Sequence, residues 1–107
     1  MKEQKPLLLE REQICLKASR GGGILSYEVW GYQKHGKTMV TRYNLAYINP
    51  SLFTGDNGRV LGYDNAHGYH HRHWFGTIEA VSFSSYEEQL ERFQQEWAEL
   101  MQSIRRT

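Results

Sequence analysis

The apolar residues of this chain change their spacing once, and that change limits the fold. Up to about residue 81 they recur at every second position, and after Ser85 at every third or fourth. A period of two lines one face of a β-strand, whereas a period near 3.6 stripes one side of a helix. A chain patterned this way is a run of strands followed by a single helix. The spacing predicts an α+β domain: an antiparallel sheet of about five strands, with a C-terminal amphipathic helix packed on one face.

The strand-like runs are separated by residues that turn. Ile14, Leu16 and Ala18 alternate with Gln13, Cys15 and Lys17, which predicts a first strand. Gly21-Gly22-Gly23 then allows a reversal. Ile24 to Gln33 carries Leu25, Tyr27 and Val29 on one side, with Trp30 and Tyr32 on the other. Lys34-His35-Gly36-Lys37 reads as a hairpin loop. Thr38 to Ile48 alternates most clearly, with Met39, Thr41, Tyr43, Leu45 and Tyr47 on one face. Arg42 and Asn44 share the other, where they can form a polar surface. Asn49-Pro50 and Thr54-Gly55-Asp56-Asn57-Gly58 are turn material. Arg59 to Asp64 reads as a fourth strand. A fifth lies around His71 to Phe75 and is extendable through Ile78 to Val81.

At the C-terminus, Ser85-Tyr86-Glu87-Glu88 fits a capping box. Leu90, Phe93, Trp97, Leu100, Met101 and Ile104 then form the apolar stripe of a helix, with acidic residues at its start and Arg105-Arg106 at its end. The expected organisation is a single domain over 1–107. Residues 1–10 are flexible, Lys2 to Pro6 frayed among them, with strands over 12–82 and the helix over 85–104.

Composition narrows the function classes. At 107 residues there is room for one modest core. The net charge of +1 divides into +3 for residues 1–83 and −2 for the rest. Neither resembles the basic stripe of a duplex-DNA binder. No apolar run reaches a membrane-spanning length, and the N-terminus lacks the pattern of a secretory signal. The one cysteine, Cys15, has no internal disulfide partner and no mark of a nucleophile. The expectation is a cytoplasmic protein with no membrane partner.

Four of the five histidines fall within residues 67–73. If residues 70–75 are extended, His71 and His73 project from one face about 6–7 Å apart, while His70 and Arg72 project from the other. Asp64 and Asn65 close the preceding strand, so a short connection through Gly68 folds the carboxylate back toward the imidazoles.

Three chemistries suit this cluster. The first is metal-independent cleavage of RNA. His71 and His73 would carry protons, with His67 and His70 in reserve and Asp64 orienting one ring. Arg72, Arg59 and Arg42 would hold phosphate, Asn65 would assist in binding, and Tyr63, Tyr69 and Trp74 would offer faces to unpaired bases. The second is a metal site made of His71, His73 and Asp64, with His67 as an alternative third ligand. The third is a solvated His-rich surface without chemistry, with Tyr63 in the core. Elsewhere the bland alternative is stronger. The triple glycine lacks the strand–loop–helix setting of a phosphate loop, and Glu87, Glu88 and Glu91 occupy the solvent side of a helix.

Three stretches carry a family resemblance: Tyr43-Asn44-Leu45-Ala46-Tyr47-Ile48, Arg59-Val60-Leu61-Gly62-Tyr63-Asp64-Asn65, and His71-Arg72-His73. Together they resemble the TumE family of short prokaryotic toxins from toxin–antitoxin pairs, over a length from about Ile14 to the end. Relatives often carry a basic residue where this chain has Gly62, so a phosphate contact there would fall to Arg59 or Arg72. The resemblance implies a toxin paired with a small DNA-binding antitoxin of helix-turn-helix type. Many toxins of such pairs act on RNA. The combined expectation is a ribonuclease-like toxin without cofactors, with a homodimer left open. Its rivals are a non-enzymatic protein-binding module and a metal-dependent hydrolase.

Overall fold

The computed structural model describes residues 5–105. Most of the frayed segment expected at residues 2–6, and Arg106 of the closing basic pair, lie outside that range. Six strands precede one helix: β1 Leu7–Cys15, β2 Ile24–Lys34, β3 Lys37–Ile48, β4 Arg59–Asp64, β5 His71–Trp74 and β6 Thr77–Ala80, then α1 Tyr86–Arg105. The strands form one antiparallel meander in the order β1-β2-β3-β4-β5-β6. The α+β layout expected from the period change is therefore present, with one strand more than expected.

Two differences account for the extra strand and its neighbours. β1 begins at Leu7, six residues before the alternation of residues 13–18 suggests, and Leu16 and Ala18 follow it. Its side chains are nearly all exposed, so burial left no alternating pattern to read. What holds it is backbone pairing along the length of β2, from Leu7 opposite Gly31 to Cys15 opposite Ile24. The second difference is a hairpin within the expected fifth strand. Phe75 and Gly76 both adopt positive φ, 45° and 83°, the geometry of a two-residue turn whose twist matches the flanking strands. Phenylalanine gives no warning of such a turn, unlike Asn or Asp before glycine.

The pairing register divides the sheet into two chemically different faces. Leu25 sits opposite Tyr47, Tyr27 opposite Leu45, and Val29 opposite Tyr43. The same row continues through Leu61 and Tyr63 to Trp74 and Arg72. α1 covers this face with Phe93, Leu100 and Met101 buried and Leu90, Trp97 and Ile104 partly buried, as the stripe predicts. Burying such side chains stabilises the fold by about 2 kcal/mol each. The Ser85 hydroxyl accepts from the Glu88 amide at 3.1 Å. Glu88, however, accepts from Ser84 and Arg92, so only half of the capping box forms. No helix among the described residues is long and apolar enough to cross a membrane.

The opposite face is polar and is not the one α1 covers. Along it run Asn44, Asp64 and His71 in one row, and Ala46, Gly62 and His73 in the next. A register shift between Tyr47 and Ile48 pairs Ile48 with Arg59. The resulting bulge brings Arg59 to the same side as Gly62 and Asp64.

Candidate active site on the open face

Asp64 is the last residue of β4 and stands directly opposite His71 of β5. His73, two residues further on the same strand, projects from the same face. The carboxylate bridges the two rings, with Oδ1 2.7 Å from His71 Nε2 and Oδ2 3.0 Å from His73 Nε2. The ring centroids lie 4.9 Å apart. All three side chains are about 95% buried, under a cavity of 360 Å³ open to solvent. The expected gathering of residues 64, 71 and 73 is thus present.

The ring nitrogens behind this contact are also aimed. His71 Nδ1 is 3.1 Å from the carbonyl of Tyr69; a carbonyl only accepts, so Nδ1 carries a proton and donates it. His73 Nδ1 points toward Asp56 Oδ2 at 3.5 Å and is a buried polar atom without a hydrogen-bond partner. Burial, then the nearby Arg59 guanidinium, pushes the His73 pKa below its ordinary value, with Asp64 opposing them. All four nitrogens therefore face protein groups. Both rings also line the cavity above them.

Arg59 completes the centre. Its Nε and Nη2 grip Asp56 at 2.9 and 3.2 Å, and its Nη1 reaches Asp64 Oδ2 at 3.3 Å. The side chain lies over Gly62, where a Cβ would come within 2.9 Å of Arg59 Cδ and 3.1 Å of the Leu45 carbonyl. The missing Cβ of Gly62 leaves the space this arginine occupies. Around the rim stand Arg42, His67 and Tyr69, all exposed. The Tyr69 ring lies 4.7 Å from that of His71. His67 has φ of 64°, a left-handed conformation that side chains with a Cβ seldom adopt.

The remaining expected site residues are elsewhere. Arg72 projects from the helix-covered face, where Nε donates to Glu96 at 2.9 Å and Nη1 to Glu79 at 3.1 Å, with its guanidinium 4.9 Å from the Trp74 ring. Trp74 packs against the core on that face. Tyr63 is buried beside them and its hydroxyl donates to Glu96; burial raises its pKa first, and Glu96 further. His70 stacks on Phe83 at 3.8 Å, and its Nδ1 meets the Tyr43 hydroxyl at 2.8 Å. None of these four lines the cavity. The reason is strand alternation, since residues adjacent to 64, 71 and 73 must face away from them. Asn65 has a scaffolding role: its side chain accepts from the Tyr43 amide at 3.1 Å and donates to the Thr41 carbonyl at 2.8 Å, which fastens the site loop to β3.

Sequence reading missed Asp56, taken only as turn material. Its signal was present, an acid three residues before Arg59. Glu96 and Gln89 were missed as well. Both sit on the buried side of α1, where Gln89 donates to the Tyr43 hydroxyl at 3.1 Å. No family model, curated protein or solved structure matches the chain.

Proposed function

We propose that the chain is the toxin of a toxin–antitoxin pair and inactivates RNA by cleaving phosphodiester bonds in the open-face cavity. One observation carries the reading. A carboxylate bridged by two imidazoles and touched by an arginine lies beneath a solvent-open cavity with a second arginine at its rim. Phosphodiester cleavage needs cations beside the phosphate and groups that move protons near neutral pH. Arg59 and Arg42 supply the cations. The exposed imidazole of His67 is placed to exchange a proton, and the Tyr69 ring to stack on an unpaired base. Asp64, His71 and His73 organise the floor. In transesterification the 2′-oxygen attacks phosphorus and the bond to the 5′-oxygen breaks. The 2′-hydroxyl proton goes to a base of the site, and the leaving oxygen takes one from an acid.

The partner this reading implies is a small DNA-binding antitoxin of helix-turn-helix type. One observation favours the rival, a binding module that acts without chemistry. β1 and β6 are the outer strands of the sheet, each without a neighbour on one side among the described residues, and Ile78 of β6 is exposed. Outer strands invite pairing with another chain. Expression of wild type beside Arg59→Ala, His67→Ala and His71→Ala, scored for growth and RNA integrity, separates the two. Toxicity with degraded RNA that is lost in all three variants supports cleavage. Growth arrest undiminished in all three, with RNA intact, supports the binding module.

A further inference from the structure

We propose that Asp64, His71 and His73 bind one first-row divalent cation, with the open side of its coordination sphere facing the cavity. The proposal deepens the reading of the same site given above, and its test is independent of activity. The ligand set is two imidazole nitrogens and a carboxylate, whose donor atoms all lie within 4.8 Å of one another. That set suits imidazole-binding ions such as zinc or iron(II) rather than calcium or magnesium. Three protein ligands leave a further position for water or a phosphate oxygen, the arrangement of a catalytic rather than a structural site.

Two features behind the ligands support an ion over a bare hydrogen-bonded cluster. A metal-binding histidine usually donates its second N–H to a carbonyl or carboxylate, which fixes the ring with its lone pair toward the metal. His71 does so to the Tyr69 carbonyl at 3.1 Å. His73 turns Nδ1 toward Asp56, yet at 3.5 Å this buried atom has no hydrogen bond. With an ion on Nε2, the ring proton belongs on Nδ1 and faces Asp56. Without one, Asp64 and Asp56 compete for it from opposite ends of the ring.

The local charges agree. With both imidazoles neutral, as ligands to an ion, Asp64 and Asp56 contribute two negative charges and Arg59 one positive charge within hydrogen-bonding distance, a net negative charge that a divalent ion reverses. A phosphate above the cavity would then meet the ion, Arg59 and Arg42 together.

The test uses full-length protein without a histidine tag, stripped with a chelator and titrated with Zn²⁺ by calorimetry and with Co²⁺ by visible absorbance. The expected result is one ion per chain at micromolar affinity or tighter. The Co²⁺ spectrum should be that of a four- or five-coordinate site, and Zn²⁺ should raise the melting temperature. His73→Gln should abolish binding, while His35→Ala, on the distant hairpin, should leave it intact. Asp56→Asn, which keeps all three ligands, should weaken binding about 10- to 100-fold and also covers the case in which His73→Gln does not fold. Absence of stoichiometric binding, or binding that Asp56→Asn and a folded His73→Gln leave unchanged, overturns the proposal. RNA cleavage by a protein that binds no ion overturns the ion and leaves the proposed function standing. Stoichiometric binding by a protein that leaves RNA intact supports the ion and overturns that function.

Discussion

Gly62 shows how a single position sets the chemistry of the open face. Its missing Cβ is the space through which Arg59 reaches Asp64. Gly62→Ala should displace the guanidinium and remove a charge-assisted hydrogen bond worth about 1.5 kcal/mol, so RNA cleavage falls about tenfold with an unchanged circular dichroism spectrum. Arg72 has the opposite profile. Arg72→Ala should lower stability by about 2 kcal/mol through loss of the Glu96 contact, measured by denaturant melts, and leave catalysis in the surviving folded protein unaffected. His67→Gly should keep the melting temperature within about 2 °C of wild type, because relief of the left-handed conformation offsets the added freedom of the unfolded chain. Its cleavage rate should fall. The cluster of 64, 71 and 73 was legible in sequence because strand alternation dictates which neighbours share a face. The same rule already excluded Arg72, Tyr63 and Trp74 from that face. Their chemistry suits the site, but their parity does not.

Among the elements, α1 and the second half of β3, from Tyr43 to Ile48, were the most legible, since each buries one face and so keeps its period. α1 rests on Phe93, which is fully buried and meets the Tyr27 ring edge-on at 5.9 Å. Phe93→Ala should destabilise the domain by about 3 kcal/mol, seen as a lower denaturation midpoint with the slope unchanged. β1 was misplaced and the β5–β6 hairpin was missed for a shared physical reason. Exposed strands held by backbone pairing leave no alternation in the sequence, and β6 is exposed at all four positions. Long-range backbone partners such as Leu7 and Gly31 become visible only in three dimensions.

At the scale of the molecule, one sheet separates an apolar, tyrosine-rich face under the helix from a polar face that holds the site. The buried face predicts an alkaline limit to stability. Burial raises the pKa values of Tyr27, Tyr43, Tyr63 and Tyr86, that of Tyr86 to about 12. Unfolded tyrosines ionise near pH 10, so this contribution is complete below pH 10 and is lost as pH rises through the folded values. An absorbance titration should show these hydroxyls ionising only as far-UV ellipticity collapses. A single step for every tyrosine in the folded protein would contradict it. The open face carries the central claim, and the most direct measurement is cleavage of total cellular RNA by purified wild type and Asp64→Asn, both checked for folding by circular dichroism. Wild type should fragment RNA while a folded Asp64→Asn leaves it intact. Equal fragmentation by both proteins, or none by either, would remove this centre from the chain's function.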